Sequence, residues 1–139
     1  MKNLKNKKGI TLVEVIVVLV IMAILAGVLV GVYTGYIQKA RERADIYEAR
    51  AVLLAITTIY HEDYAAGNAD EDMDASASTT WWGTAGTKVT TLCGVTDFTT
   101  GNVTNLTFVD GAVATLTYVT VGGNTYTYTP ANGFVRATP

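Results

Sequence analysis

The sequence predicts an α+β fold in which one long N-terminal helix packs on a small antiparallel β-meander. Its 139 residues suffice for one domain, and half of them are hydrophobic. Residues 15–30 are all apolar or glycine, and helical spacing continues to about residue 66 with no proline before Pro130. The last third consists of runs rich in Thr, Val and Tyr that Asp-Gly and Gly-Gly pairs separate, which is typical of hairpins.

Residues 1–9 form a short basic leader. Four of the ten basic residues lie there, so six remain after it against all 12 acidic ones, and no basic patch is left to bind nucleic acid. Lysines next to an apolar span predict a cytoplasmic N-terminus and an exported C-terminus. The apolar segment follows the leader, so we expect any cleavage to remove the lysines and keep the span. The leader lysines are Lys2, Lys5, Lys7 and Lys8.

Residues 10–32 are predicted to form a transmembrane helix. These 23 residues carry one charge, Glu14. At ~1.5 Å per residue they span about 35 Å, enough to cross a hydrocarbon core of about 30 Å. A carboxylate in such a segment is costly. Glu14 either lies near the headgroups and reaches towards water, or pairs with a positive charge inside a bundle of spans. A neutral residue would be less costly at this position, so the charge requires a reason.

Residues 33–66 are predicted to continue this helix into the soluble part as an amphipathic segment. Apolar side chains recur there at spacings of three and four, which forms one stripe that must pack on something. Gly67 is the expected end, giving a helix of about 57 residues. The stripe consists of Ala49, Val52, Leu53, Ile56, Ile59 and Tyr60.

Residues 67–139 are predicted to form a loop followed by a three- to four-stranded antiparallel sheet. We expect residues 67–102 to be irregular, with Trp81 and Trp82 in a small-residue loop and a short strand at 88–92. The acidic segment 70–74 lacks the glycine and the final glutamate of a calcium loop, so no metal site is expected. Cys93, the only cysteine, is expected to be a buried small hydrophobe rather than a reactive thiol.

Three strands are expected in the last third, at 103–109, 112–121 and 124–129. The turns at 110–111 and 122–123 need positive φ, which Gly adopts readily. Alternation along the first strand places Leu106 and Phe108 on one face and threonines on the other. The apolar face is the expected partner of the helix stripe.

The start of the chain resembles the class III signal of prepilins. Lys7-Lys8-Gly9-Ile10-Thr11-Leu12-Val13-Glu14 combines a basic leader, a glycine, an apolar residue, Thr-Leu and a glutamate at the fifth position, followed by an uninterrupted apolar run. The resemblance covers residues 5–32 closely and the whole chain more loosely. It implies a pilin-like fold, as found in type IV pilins and in the pseudopilins of type II secretion and DNA-uptake systems.

The resemblance implies cleavage between Gly9 and Ile10 by a prepilin peptidase and methylation of the new amine of Ile10. It also implies that Glu14 acts in assembly, by pairing with the Ile10 amine of a neighbouring subunit. Ile10 stands where the family most often has Phe. Further implied partners are other copies of the chain in a helical homopolymer, an assembly ATPase and a membrane platform, with membrane lipid surrounding the span before assembly.

Gly27, Gly31 and Gly35 repeat every four residues on one helical face. They either allow close packing of helices or weaken the helix locally, since Gly costs ~1 kcal/mol relative to Ala. Many members of the family carry a proline near this position, and this chain does not.

The apolar helix predicts a membrane-stored subunit, and the resemblance to prepilins implies that this structural subunit is cleaved and polymerises into a filament at the cell surface. We expect no enzymatic activity and no cofactor, because no nucleophile, base and orienting group occur together around His61, the only histidine. The alternatives are a pseudopilin of a secretion or DNA-uptake system, and a solitary single-pass anchor that displays a β domain for binding.

Overall fold

A computed structural model describes residues 9–75 and 79–137, so the lysines of the predicted leader lie outside the described residues. The chain divides into two compact units, residues 1–41 and 42–139. The described elements are helices α1 (Leu12–Ala65) and α2 (Thr79–Leu92), a 3-10 turn (Thr100–Asn102), and strands β1 (Met73–Asp74), β2 (Val103–Val109), β3 (Ala112–Val119), β4 (Thr125–Thr129) and β5 (Gly133–Arg136).

The first unit contains the N-terminal part of helix α1. Its large apolar side chains between Ile10 and Val32 are all exposed, with exposed fractions from 48% at Val15 to 80% at Ile10. The most apolar 18-residue window of α1 has a mean hydropathy of 3.3, and none of it is buried within the protein. By length and composition this helix can cross a membrane, and together with its position near the N-terminus it fits a single-pass anchor.

The second unit contains a five-stranded sheet with the order β1-β2-β3-β4-β5, in which all neighbours are antiparallel. The predicted fold class, a long helix with an antiparallel meander, is confirmed. The β2–β3 turn has positive φ at Asp110 (51°) and Gly111 (74°), as both central residues of a two-residue type I′ hairpin turn require. Gly123 in the next turn has a φ of 82°.

The core of this unit forms where the stripe of α1 meets the sheet. Ile56 and Tyr60 are buried, as are Leu106 and Phe108 on the facing strand, so the predicted contact of these two surfaces is confirmed. The rings of Tyr60 and Phe108 stack with centroids 4.0 Å apart. On the other face of the sheet, the hydroxyls of the cross-strand pair Thr107 and Thr115 lie 2.7 Å apart. Cys93 is a free, buried thiol, as expected.

The expectation of an irregular segment at 67–102 is wrong, because residues 79–92 form helix α2 and no strand forms at 88–92. Six threonines and two glycines make this a poor helix by propensity. Trp81, Ala85 and Val89 recur every four residues and are all buried in the core. Burial of this stripe therefore outweighs the local preference of the sequence.

The tryptophans belong to this helix rather than to a loop. The ring of Trp81 meets that of Phe108 edge-on at 5.6 Å, so Trp81 closes the aromatic core. Trp82 is partly buried, and its indole Nε1–H donates to the carbonyl oxygen of Thr100 at 3.3 Å. Gly86 allows this approach, because a Cβ placed there would lie 2.6 Å from Cγ2 of Thr100.

The sheet also has two strands that the sequence did not indicate. Strand β1 has two residues and β5 has four, too short for alternation to be recognised. The predicted strands at 112–121 and 124–129 are also slightly too long, since β3 ends at Val119 and β4 begins at Thr125. Helix α1 ends at Ala65, and Gly67 follows it with a φ of 74°.

Candidate functional site

The bond between Gly9 and Ile10 lies in an exposed segment directly before helix α1. Neither residue is in regular secondary structure, and Ile10 is 80% exposed. A Cβ at Gly9 would meet nothing within 4 Å. The glycine is therefore not required by the packing of the described residues.

Thr11 and Glu14 form a reciprocal cap at the start of α1. The backbone N–H of Thr11 donates to Oε2 of Glu14 at 2.8 Å, and the backbone N–H of Glu14 donates to Oγ1 of Thr11 at 3.3 Å. The Thr11 hydroxyl also donates to Glu14 Oε2 at 2.8 Å. This is the capping box that Thr-x-x-Glu encodes, and it satisfies N–H groups that have no partner within the helix.

The cap gives Glu14 a role within a single chain. In a hydrocarbon environment no water is available for the free N–H groups of a helix end. A negative carboxylate in the first turn also interacts favourably with the positive end of the helix dipole. Glu14 is therefore stabilised by its own helix before any neighbouring chain is present, a partnership that the sequence interpretation did not include.

The three spaced glycines lie in the uninterrupted part of α1. A Cβ at Gly27, Gly31 or Gly35 would meet nothing within 4 Å, so the single chain places no partner against them. The helix continues through all three. The hydroxyl of Thr34 donates to the carbonyl oxygen of Gly31 at 3.1 Å. From Glu14 to Gly27 the axial distance is about 20 Å, so the glycines and the capping box are separate features.

Two carboxylates on α1, which sequence analysis did not single out, bind the turn between β3 and β4. Oε1 of Glu48 accepts from the hydroxyl of Tyr118 at 2.5 Å and from the backbone N–H of Val121 at 2.9 Å. Oδ2 of Asp45 accepts from the side-chain amide of Asn124 at 2.8 Å. We name Asp45 and Glu48 the carboxylate clamp. Their position beside the apolar stripe was the only signal in the sequence.

Burial changes the acidity of the tyrosines that the clamp holds. Tyr118 is fully buried, and desolvation raises its pKa far above the ordinary value, with the adjacent Glu48 carboxylate adding to the effect. Desolvation likewise raises the pKa of Tyr126, whose hydroxyl donates to Asp45 at 3.3 Å. Both phenols therefore stay protonated at neutral pH and remain hydrogen-bond donors.

An ion pair between a buried carboxylate and a lysine whose side chain is 46% exposed joins the two helices of the second unit. Lys88 Nζ on α2 lies 2.7 Å from Oδ1 of Asp63 on α1, and the Asp63 side chain is 9% exposed. The pair lies beside the aromatic core and fixes α2 at one position along α1. This contact explains why the polar residue Asp63 is tolerated in the buried stripe.

Together these features define a class of protein: an apolar, capped N-terminal helix with the properties of a membrane anchor, attached to a small α+β unit. Residues 4–30 match the family model described as the prokaryotic N-terminal methylation motif, the class III signal of type IV prepilins. The motif supports a type IV pilin- or pseudopilin-like precursor. No curated protein and no solved structure is significantly similar to the chain.

Proposed function

We propose that the chain is a prepilin, a structural subunit cleaved between Gly9 and Ile10 by a prepilin peptidase and methylated on the new amine of Ile10. The cleaved subunit polymerises through helix α1 into a filament at the cell surface, with an assembly ATPase and a membrane platform as partners. The subunit catalyses no reaction. The 10–32 segment anchors it in the membrane before assembly, and 33–66 carries the helix into the soluble part.

Glu14 is the observation that carries this proposal. It is the one charge within 23 otherwise uncharged residues, and it lies four residues after the proposed new N-terminus. Cleavage creates a cation at Ile10, and an axial offset between two subunits brings that amine of one chain to the carboxylate of the next. Oppositely charged groups attract strongly where water is excluded. The same carboxylate caps its own helix meanwhile, so the unassembled chain is stable in the membrane.

Cleavage is tested first, on full-length protein in its own cells. Intact mass of membrane-extracted protein should show loss of residues 1–9, and a further increment of one methyl group on Ile10. Gly9→Val should block processing, because a β-branched side chain hinders close approach of the peptidase backbone. Unprocessed chain alone, in cells with an active peptidase, would refute the proposal in favour of a solitary anchor.

Glu14→Gln separates charge pairing from capping, because Gln also completes a capping box. We expect Glu14→Gln to insert in the membrane and to be cleaved, yet to give few or no filaments, since the amide cannot neutralise the Ile10 amine. Glu14→Val, which loses both roles, should be no better. Normal filament yield from Glu14→Gln would show that capping is the only role of Glu14 and would remove the proposed pairing.

A further inference from the structure

One face of helix α1 in the second unit carries unpaired positive charge. Arg43, Tyr47, Arg50 and Leu54 follow at intervals of four, three and four residues, so they lie on one side of the helix. All four are exposed, with Tyr47 at 70% and Leu54 at 68%. A shallow depression of about 290 Å³ lies among Arg43, Ile46, Tyr47 and Arg50. We name the four exposed residues, Arg43, Tyr47, Arg50 and Leu54, the arginine face.

Within the described part of the chain, neither Arg43 nor Arg50 has a counter-ion. Across residues 9–75 and 79–137, the ion pairs are Lys88–Asp63 and Arg136–Glu42, and neither involves the arginine face. Two guanidinium groups flanking an exposed tyrosine thus form a surface suited to carboxylates, which Arg binds in a bidentate manner.

The complementary surface is on the same chain. Asp70, Glu71 and Asp72 are consecutive and exposed, and within the described part of the chain none has a cation partner. We name them the acidic segment. Its backbone is fixed, because the Tyr60 hydroxyl donates to the carbonyl oxygens of Asp70 at 2.9 Å and of Glu71 at 3.2 Å. The backbone of the segment is thus held in place, which lowers the entropy cost of binding it.

The two surfaces are too far apart to meet within one chain. Tyr60, which holds the acidic segment, is 13 residues from Tyr47 along α1, and 13 residues correspond to about 20 Å. A contact between the surfaces must therefore join two copies of the protein, shifted along the helix by about this distance. This contact pairs two different surfaces, so in a pair of subunits each copy still has one of its two surfaces free. Further copies can bind there, and the contact therefore builds an open chain of subunits rather than a closed dimer.

We propose that the arginine face binds the acidic segment of a second copy of this protein. This inference rests on the proposed function, since it names a contact between the soluble units of a filament. A second copy explains both observations at once, the arginines and the carboxylates that have no ion pair among the described residues. Of these carboxylates, Asp72 accepts a hydrogen bond from the backbone N–H of Asp110 at 2.8 Å. An anionic lipid surface would neutralise the arginine face alone and leave the acidic segment without a partner.

Site-specific crosslinking of the full-length protein in its own cells tests this contact. Tyr47→Cys with Glu71→Cys, oxidised with copper phenanthroline on intact filaments, should give a ladder of dimers, trimers and higher multimers. A crosslink within one chain is excluded by the axial separation, since disulfides need Cα atoms within about 7 Å. Each single-cysteine variant controls for the native Cys93, and Tyr47→Cys with Thr96→Cys, an exposed residue outside both surfaces, controls for random collision.

Charge reversal provides the second measurement. Arg43→Glu with Arg50→Glu should reduce the ladder at least about tenfold, because like charges then face one another. Adding Asp70→Lys to the Tyr47→Cys, Glu71→Cys pair should reduce the ladder in the same way, because it reverses a charge of the acidic segment. Combining the reversals should restore the ladder, which general misfolding would not allow. Raising salt on intact filaments before oxidation should weaken the crosslink of the unreversed pair.

Each outcome decides one of the two proposals. Cleaved subunits in filaments without a ladder would overturn the contact and leave the proposed function intact. A ladder from chains that are neither cleaved nor assembled would support the contact and refute the filament. The lipid alternative is tested with the protein reconstituted in vesicles through its span. If the parent gives no ladder, and phosphatidylglycerol protects Tyr47→Cys from a water-soluble maleimide only while Arg43 and Arg50 are present, the contact is overturned in favour of a lipid surface.

Discussion

Tyr118 donates a hydrogen bond to Glu48 across 70 residues of sequence, joining strand β3 to helix α1. The same carboxylate oxygen accepts from the backbone N–H of Val121, so one side chain holds both the end of the strand and the turn that follows it. This contact fixes the register between the helix and the hairpin, which the apolar contacts alone do not specify because they have no direction.

Removing the carboxylate of Glu48 should destabilise the second unit. Glu48→Ala leaves the buried hydroxyl of Tyr118 without an acceptor, and we expect a loss of about 1–3 kcal/mol in the free energy of unfolding. Glu48→Gln keeps an acceptor and should lose less. The measurement is denaturant unfolding in detergent, followed by the fluorescence of Trp81 and Trp82, which lie in this unit. Glu62→Ala, an exposed glutamate on the same helix, is the matched control and should have no effect.

Alkaline pH should weaken the same unit. The pKa of Tyr118 is higher in the folded state than in the unfolded state, so the folded protein retains a proton that the unfolded chain loses. The stabilisation is complete below the unfolded value of about 10 and declines as the pH rises above it. Unfolding monitored by tryptophan fluorescence between pH 8 and pH 12 should show this decline. Tyr118→Phe should be less stable at neutral pH and show a shallower decline, and an unchanged slope would contradict the assignment.

Two glycines of helix α2 provide a matched pair. A Cβ at Gly83 would meet nothing within 4 Å, so Gly83→Ala should stabilise the unit by up to ~1 kcal/mol through helix propensity. A Cβ at Gly86 would lie 2.6 Å from Thr100 Cγ2, so Gly86→Ala should be less stable than Gly83→Ala by about 1–3 kcal/mol. Thr100→Ser removes that methyl group and should recover part of the difference in thermal unfolding. Equal stability of the two alanine variants would show that the segment does not pack as described.

Gly31 tests the role of the glycine face in the membrane helix. The isolated chain has room at this position, so Gly31→Ala and Gly31→Leu should both insert into the membrane. If small residues let neighbouring helices approach closely, Gly31→Leu should reduce filament yield far more than Gly31→Ala. A similar reduction by both variants would instead indicate that the helix must loosen at this point during assembly. Filament yield per inserted subunit is the quantity to compare.

The sequence by itself determined the features that arise from local periodicity. The long apolar run and the Asp-Gly turn between alternating strands each follow from a few neighbouring residues. The Thr11–Glu14 cap is equally local, but its spacing was not recognised in the sequence. The long helix, the β2–β3 hairpin and the burial of Leu106 and Phe108 were therefore predictable. The methylation motif is local in the same sense, since it lies within residues 4–30.

Only the tertiary structure decided the rest. Helix α2 forms from a sequence of poor helix propensity because Trp81, Ala85 and Val89 are buried against the aromatic core. The partners of Glu48 and Lys88 lie 70 and 25 residues away, a separation at which no sequence spacing indicates a contact. Strands β1 and β5 exist because neighbouring strands supply their hydrogen bonds. Strand β5 pairs with its sequence neighbour β4, but in the other cases the stabilising energy comes from residues distant in sequence, which act only after the fold has brought them together.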